Sequence, residues 1–266
     1  MKSLSLLTLV PSLILGLALN STLALAETSQ EKGLSIAKKI KQRDLGWGNS
    51  ESNLIMTLRT KGGQEIVRRM RSKSLEVEGD GDKGLTIFDT PKDVKGTAFL
   101  SHSHTVDADD QWIYLPAVKR VKRIASRNKS GPFLGSEFAF EDLSSFEIEK
   151  FTFNYLRDEN YKDQDMYVVE MVPTDKYSGY KRTVAWVDKE HYRVFKIDFY
   201  DRRNTLLKTL TTEGHKLYKD RYWRSSHQYM VNHKNGKSTD IEIENLTFDV
   251  SLTDDDFNEK RLQRSR

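Results

Sequence analysis

The sequence predicts a mainly β fold with a few helices (α+β), built as one long, curved antiparallel sheet whose apolar face is covered by helical pieces. Three observations carry this. From about Asn53 onward the apolar residues alternate with polar ones at a period of two, which places them on one face of strands with a wet opposite face. The strand-like runs are joined by short polar turns with no helix between most of them, and short connections force antiparallel neighbours. Near the C-terminus the apolar phase slips by one residue, from Ile241 and Ile243 to Leu246, Phe248 and Val250, as at a β-bulge that bends a sheet.

Taken in order, the first 26 residues read as a secretory signal. Lys2 supplies the positive charge, no charge follows from Ser3 to Ala26, leucines dominate Leu4–Leu19, and Ala24 and Ala26 mark a cleavage site before Glu27. An uncleaved anchor helix is the alternative, disfavoured by Pro11, Asn20 and the small-residue ending. The mature chain, residues 27–266, is then expected to be a single domain. Ser29–Arg43 reads as a helix, with Leu34, Ala37 and Ile40 at helical spacing, stopped by Gly46 and Gly48.

About ten or eleven strands are expected beyond it. Leu54, Met56 and Leu58 alternate along one, and Lys61-Gly62-Gly63-Gln64 turns the chain into Glu65–Val77. Tyr167, Val169 and Met171 are assigned to one face, as are Phe195, Ile197 and Phe199, and Trp223, His227, Tyr229 and Val231. Asn235-Gly236 marks a hairpin between Arg221–Asn232 and Ser238–Asp249. The cover is assigned to the N-terminal helix, a segment around Ser136–Leu143, and a C-terminal turn over Asp254–Arg261 capped by Thr253.

Composition narrows function. The chain has 266 residues and no cysteine, which excludes disulfides, thiolate chemistry and Cys-ligated metal. Charged residues make up 31% against 37% hydrophobic, too polar for a multi-span membrane protein. No nucleophile elbow, phosphate loop or dinucleotide fingerprint occurs. His102 and His104 with Asp107, Asp109 and Asp110 could approach a metal, but no second ligand cluster completes the set, and a polar strand end is the plainer reading. No catalytic residue, metal or cofactor is expected.

The informative segment runs from Asp109 to Leu143. Trp112 and Tyr114 fall on one strand face with Ile113 and Leu115 on the other, so that strand is buried on both sides or lines a cavity. Lys119, Arg120, Lys122 and Arg123 follow, either a solvated edge or a basic rim beside an apolar groove; the signal sequence argues against nucleic acid as its partner. Phe133, Leu134, Phe138 and Phe140 are too apolar for a plain loop, so they either plug the core or form a lid. The candidate ligand-binding set is therefore Trp112, Tyr114, Leu115, Phe133, Leu134, Phe138 and Phe140, with Arg120 and Arg123 for head-group contact or for pairing with Asp142.

The run Asp110-Gln111-Trp112-Ile113-Tyr114-Leu115-Pro116-Ala117 continued by Lys119-Arg120-Val121 and Arg123-Ile124, the Gly131-Pro132-Phe133-Leu134-Gly135-Ser136-Glu137-Phe138 segment, Phe140-Glu141-Asp142-Leu143, Pro91 with Lys95-Gly96-Thr97-Ala98, and the closing Leu252-Thr253-Asp254 with Phe257 resemble the bacterial outer membrane lipoprotein-sorting proteins, relatives of the periplasmic carrier LolA. The resemblance implies a LolA/LolB-like incomplete β-barrel with an apolar cavity, in the periplasm of a Gram-negative envelope. It also implies a non-enzymatic carrier for the acyl chains of lipids or lipoproteins, moving them toward the outer membrane. The alternative it leaves is an adaptor or sensor that binds a membrane partner, such as an inner-membrane export pump of the resistance-nodulation type.

Overall fold

The computed structural model describes residues 27–264; the expected signal sequence lies outside the described residues. One α-helix, α1 (Ser29–Asp44), precedes fifteen strands: β1 (Asn49–Arg59), β2 (Glu65–Leu75), β3 (Lys83–Thr90), β4 (Ala98–His102), β5 (Asp110–Leu115), β6 (Arg120–Ile124), β7 (Phe151–Tyr161), β8 (Gln164–Pro173), β9 (Tyr180–Asp188), β10 (Val194–Asp201), β11 (Leu206–Glu213), β12 (Lys216–Tyr218), β13 (Tyr222–Arg224), β14 (His227–Asn232) and β15 (Ser238–Phe248). Thirteen form one sheet in the order β6-β5-β4-β3-β2-β1-β15-β14-β11-β10-β9-β8-β7, and β12 and β13 pair separately. All the pairings are antiparallel, and β6 and β7 are edges that do not pair with each other.

The sheet curls, and two hydrogen bonds establish it. Gln111 on β5 donates to the Phe140 carbonyl at 2.9 Å, while Tyr180 on β9 donates its hydroxyl to Asp142 at 2.7 Å. Nine strand spacings separate β5 from β9, roughly 43 Å in a flat sheet, yet two residues of chain reach only about 7 Å. The sheet is therefore wrapped around the 126–147 segment as an unclosed half-barrel.

Its concave face follows from the register. Met70, Met56, Ile241, Met230, Phe199 and Phe99 meet in one buried cluster. Farther along, Val169, Ala185, Val187 and Phe153 meet Ile36 and Ala37 of α1, and Ile197 belongs to both groups. The phase slip in β15 is present: the β1–β15 register shifts between Glu51 and Asn53, and Asn245 has a φ of 50°.

The helix starts where the sequence places it. Thr28 accepts from the Glu31 amide and Glu31 returns a bond to the Thr28 amide, closing a capping box. Gly33 sits against β7, where an added Cβ would stand 2.8 Å from the Tyr155 amide nitrogen. Gly33→Ala should therefore destabilise the chain by about 2 kcal/mol in urea denaturation, because overpacking against backbone outweighs the roughly 1 kcal/mol of helix propensity gained.

Four expectations require correction. The Arg221–Asn232 run is two strands, since Ser225-Ser226 breaks it and sends Trp223 to the small β12–β13 hairpin while β14 joins the main sheet. Phe195 does not share the face of Ile197 and Phe199: a bulge between Val194 and Lys196 turns it to the opposite face, against Trp186, Met166 and Val168. Around Ser136–Leu143 only Phe140–Leu143 is helical, a single 3-10 turn. The C-terminal turns, Asp254–Phe257 after Thr253 and Glu259–Arg264, cover the outer face of β3–β6, where Phe257 and Leu262 pack on Leu85, Ala98 and Leu100. The concave face is covered by α1 and the 126–147 segment instead.

Candidate functional site

The 126–147 segment enters the half-barrel as a plug. Phe133 and Phe138 are buried, and Phe133 packs edge-on against Phe99 and Phe140, with ring centroids 5.1 and 5.7 Å apart. The Phe133 amide donates to the Phe138 carbonyl at 2.7 Å, folding the segment back on itself. Arg68 of β2 donates to the Leu134 carbonyl at 2.8 Å, and the Glu137 amide donates to Thr239 of β15 at 2.9 Å. Glu141 accepts from the Ser178 hydroxyl and the Gly179 amide, and its burial raises its carboxyl above the ordinary range.

The strongest tether is Asp142. Lys208 of β11 reaches it at 2.5 Å with both side chains almost fully buried, and Lys208 also donates to the Glu137 carbonyl at 2.9 Å. Tyr180 donates to the same carboxylate; burial, and then the neighbouring carboxylates, hold its phenol well above the usual range, so it stays a donor.

Beside the plug the concave face retains a cavity of about 310 Å³. Met171, Ile197, Phe199, Leu210 and Met230 supply sheet wall, with Phe138 from the plug and Phe146 from the segment leading to β7. The Thr183 hydroxyl on this wall is buried without a hydrogen-bond partner. Two ion pairs also contribute lining residues, Lys129 with Asp175 and Lys150 with Asp109, the latter joining the β5 side of the sheet to the β7 side. Such a space is small for a ligand pocket, within reach of one extended chain.

The nine residues expected to share one site are divided among four places. Phe138 lines the cavity. Phe133, Leu134 and Phe140 belong to the plug and its core contacts. Trp112 and Tyr114 are on the opposite face of the sheet, packed with Leu100, Phe257 and Leu262, because Trp112 pairs with the outward-facing Leu100. Leu115 ends β5 on the inner face, opposite Arg120 on the exposed edge strand. Arg123 pairs with Asp110, so neither arginine pairs with Asp142. His102 bonds the Phe257 carbonyl and His104 lies between Asp80 and Asp110; among the described residues no three ligating side chains gather as for a metal.

A second cavity, about 350 Å³, lies beneath the end of α1; of its five cations Lys41, Arg193 and Arg224 are taken by Glu147, Asp188 and Asp44, while Arg43 and Arg221 lie over the rings of Tyr192 and Tyr222. On its wall, burial pushes the Asp82 carboxyl up to about 6, opposed by Lys41 and reinforced by Glu147 and Asp44. Unfolded, that carboxyl titrates near 3.8. Between these values the folded chain holds the extra proton, so this group's contribution to stability falls as pH rises through the window. Asp82→Asn should gain about 2 kcal/mol at pH 7 and nothing below pH 4, read from urea midpoints at the two pH values.

An unclosed antiparallel half-barrel with an internal plug and an apolar cavity on its concave face defines the LolA type of fold. A family model described only as an uncharacterized protein matches residues 80–264. A domain from Vibrio parahaemolyticus, provisionally described as outer membrane lipoprotein-sorting, is 60% identical with a TM-score of 0.87, over 88% of this chain and 100% of its own. A DUF1329 family protein from Desulfovibrio piger is 29% identical with a TM-score of 0.84, over 88% of this chain and 99% of its own. A LolA superfamily protein from Nitrosomonas europaea shares the fold at 21% identity and a TM-score of 0.67, over 87% of this chain and 97% of its own. No curated protein matches. The chain belongs to the DUF1329 family, the lipoprotein-sorting family that its sequence resembles.

Proposed function

We propose that residues 27–266 form a single-domain, non-enzymatic periplasmic carrier that shelters an acyl chain of a lipid or lipoprotein on its way toward the outer membrane. The observation that carries this reading is the cavity on the concave face, walled by Met171, Ile197, Phe199, Leu210 and Met230. Each methylene moved from water into such a space gains roughly 0.8 kcal/mol. The lipoprotein-sorting relative and the signal sequence support the compartment and the cargo class. Phe138 and Tyr180, where the plug meets the cavity wall, are the groups a longer chain would have to displace.

The test is uptake of a fluorescent fatty acid by the purified mature protein, paired with lipid extraction from protein isolated gently from its own cells. Saturable uptake and a co-purifying acyl species support the carrier. Failure of both overturns it in favour of an adaptor for a membrane partner such as an export pump.

A further inference from the structure

Every second connection along the sheet falls at the same end, so six turns form one row: 60–64, 91–97, 116–119, 174–179, 202–205 and 233–237. Together they hold nine lysines and arginines against two aspartates, Asp93 and Asp175. At the opposite end the connections are mixed: the β2–β3 turn carries Glu76, Glu78, Asp80 and Asp82 with no cation, whereas 214–226 carries Lys216, Lys219, Arg221 and Arg224 against Asp220. The row is thus strongly basic, nine cations against two acids, in a chain whose net charge is only +4.

The nine cations are also uncompensated. Lysines and arginines elsewhere in the fold meet carboxylates repeatedly, yet among the described residues none of Lys61, Lys92, Lys95, Lys119, Lys176, Arg202, Arg203, Lys234 and Lys237 forms an ion pair. Of the two acids, Asp175 is taken by Lys129. Neighbouring turns touch: Lys61 Cγ lies 3.1 Å from where a Cβ on Gly236 would stand. A groove of about 640 Å³ opens between Arg202, Arg203, Lys234 and Lys237, with Glu137 and Asp201 also in its lining, and it shares Phe138 and Tyr180 with the apolar cavity. Ile66, Val67, Val118 and Tyr177, each 40–54% exposed, stand in or beside the same turns.

We propose that this end of the half-barrel docks on an anionic phospholipid bilayer. The row follows the rim of the curled sheet through twelve strands, roughly 50 Å of contour, so its cations are spread around one end of the half-barrel, a match for an extended anionic surface and far more than one small anion requires. Unpaired lysines and arginines draw such a surface in, and the exposed apolar side chains enter its headgroup layer. The groove then brings the lipid surface to the wall of the acyl cavity. The inference goes beyond the carrier reading and stands without it.

The experiment is flotation of the purified mature protein, without added fatty acid, on vesicles of phosphatidylglycerol mixed with phosphatidylcholine and on phosphatidylcholine alone. Binding is expected only to the anionic vesicles and should weaken with salt. The triple variant Arg203→Gln, Lys234→Gln, Lys237→Gln should lose about a hundred-fold in partitioning, at roughly five-fold per charge. Lys38→Gln, Lys39→Gln, Lys216→Gln, equal in charge but away from the row, should retain it within about two-fold. Equal loss in both triples would reduce the effect to net charge and overturn the proposal, as would no binding of the wild type or preference for a soluble acidic protein over vesicles. Ile197→Trp, which fills the acyl cavity, should leave flotation unchanged, so this surface and the cavity can fail separately.

Discussion

Lys208→Ala is expected to cost about 3–5 kcal/mol of stability, as much as truncating a buried core phenylalanine. The side chains of Lys208 and Asp142 are 4% and 6% exposed. Removing the ammonium leaves a buried carboxylate with only the Tyr180 hydroxyl and the Ala139 amide, at 2.7 and 2.6 Å, to hold its charge. The same substitution frees the Glu137 carbonyl and thereby loosens the plug at a second point. Lys208→Met with Asp142→Leu should recover part of the loss, since no charge is then stranded, but not all of it, because the Tyr180 and Ala139 donors lose their acceptor. Arg123→Ala supplies the contrast. Its pair with Asp110 is 66% and 30% exposed, so the cost should stay below about 1 kcal/mol. Urea midpoints for the four proteins decide the matter, and equal losses for Lys208→Ala and Arg123→Ala would show that Asp142 is not a buried anchor.

That contrast shows where the sequence was legible. Local pattern identified α1, the β14–β15 hairpin and the bulge near Asn245, because each is written in neighbouring residues: the helical spacing of Leu34, Ala37 and Ile40, an Asn-Gly turn, a slip of phase. The resemblance carried the unclosed barrel and the family. The site was less legible because partners in a curled sheet are set by which strands face each other across the barrel. Asp142 lies 66 residues from Lys208, and nothing near either residue names the other. Trp112 was drawn to the cavity by a motif dense in aromatics, yet its strand is buried on both faces, and parity places Ile113 inward and Trp112 under the C-terminal turns. Part of the cavity wall was visible as alternation, in Met171, Ile197 and Phe199, but looked like ordinary core; Leu210 is not singled out, and in β14 the alternation falls at Tyr229 and Val231, on the face opposite Met230. Only the wrapping of the sheet left space in front of that wall.

Ile197→Trp is expected to weaken fatty-acid binding by about fifty-fold while the chain still folds. Ile197 stands where the plug-side and helix-side clusters meet and faces the cavity, so an indole there occupies space that acyl carbons would use. Excluding about three methylenes forfeits ~2.4 kcal/mol, which is that fifty-fold. Overpacking in a filled core usually costs about 1–3 kcal/mol, but here part of the ring enters existing space and the loss should fall at the low end. Thr183→Val acts in the opposite sense. It removes a buried hydroxyl that has no partner, so it should tighten binding of the same ligand and hold or raise stability. Trp112→Ala separates the two assignments of the site: it opens a void beneath Phe257 and Leu262 on the outer face and should cost about 2–3 kcal/mol, with affinity unchanged. If Trp112→Ala abolishes uptake in folded protein and Ile197→Trp leaves it intact, the ligand lies on the outer face and the concave cavity is only core.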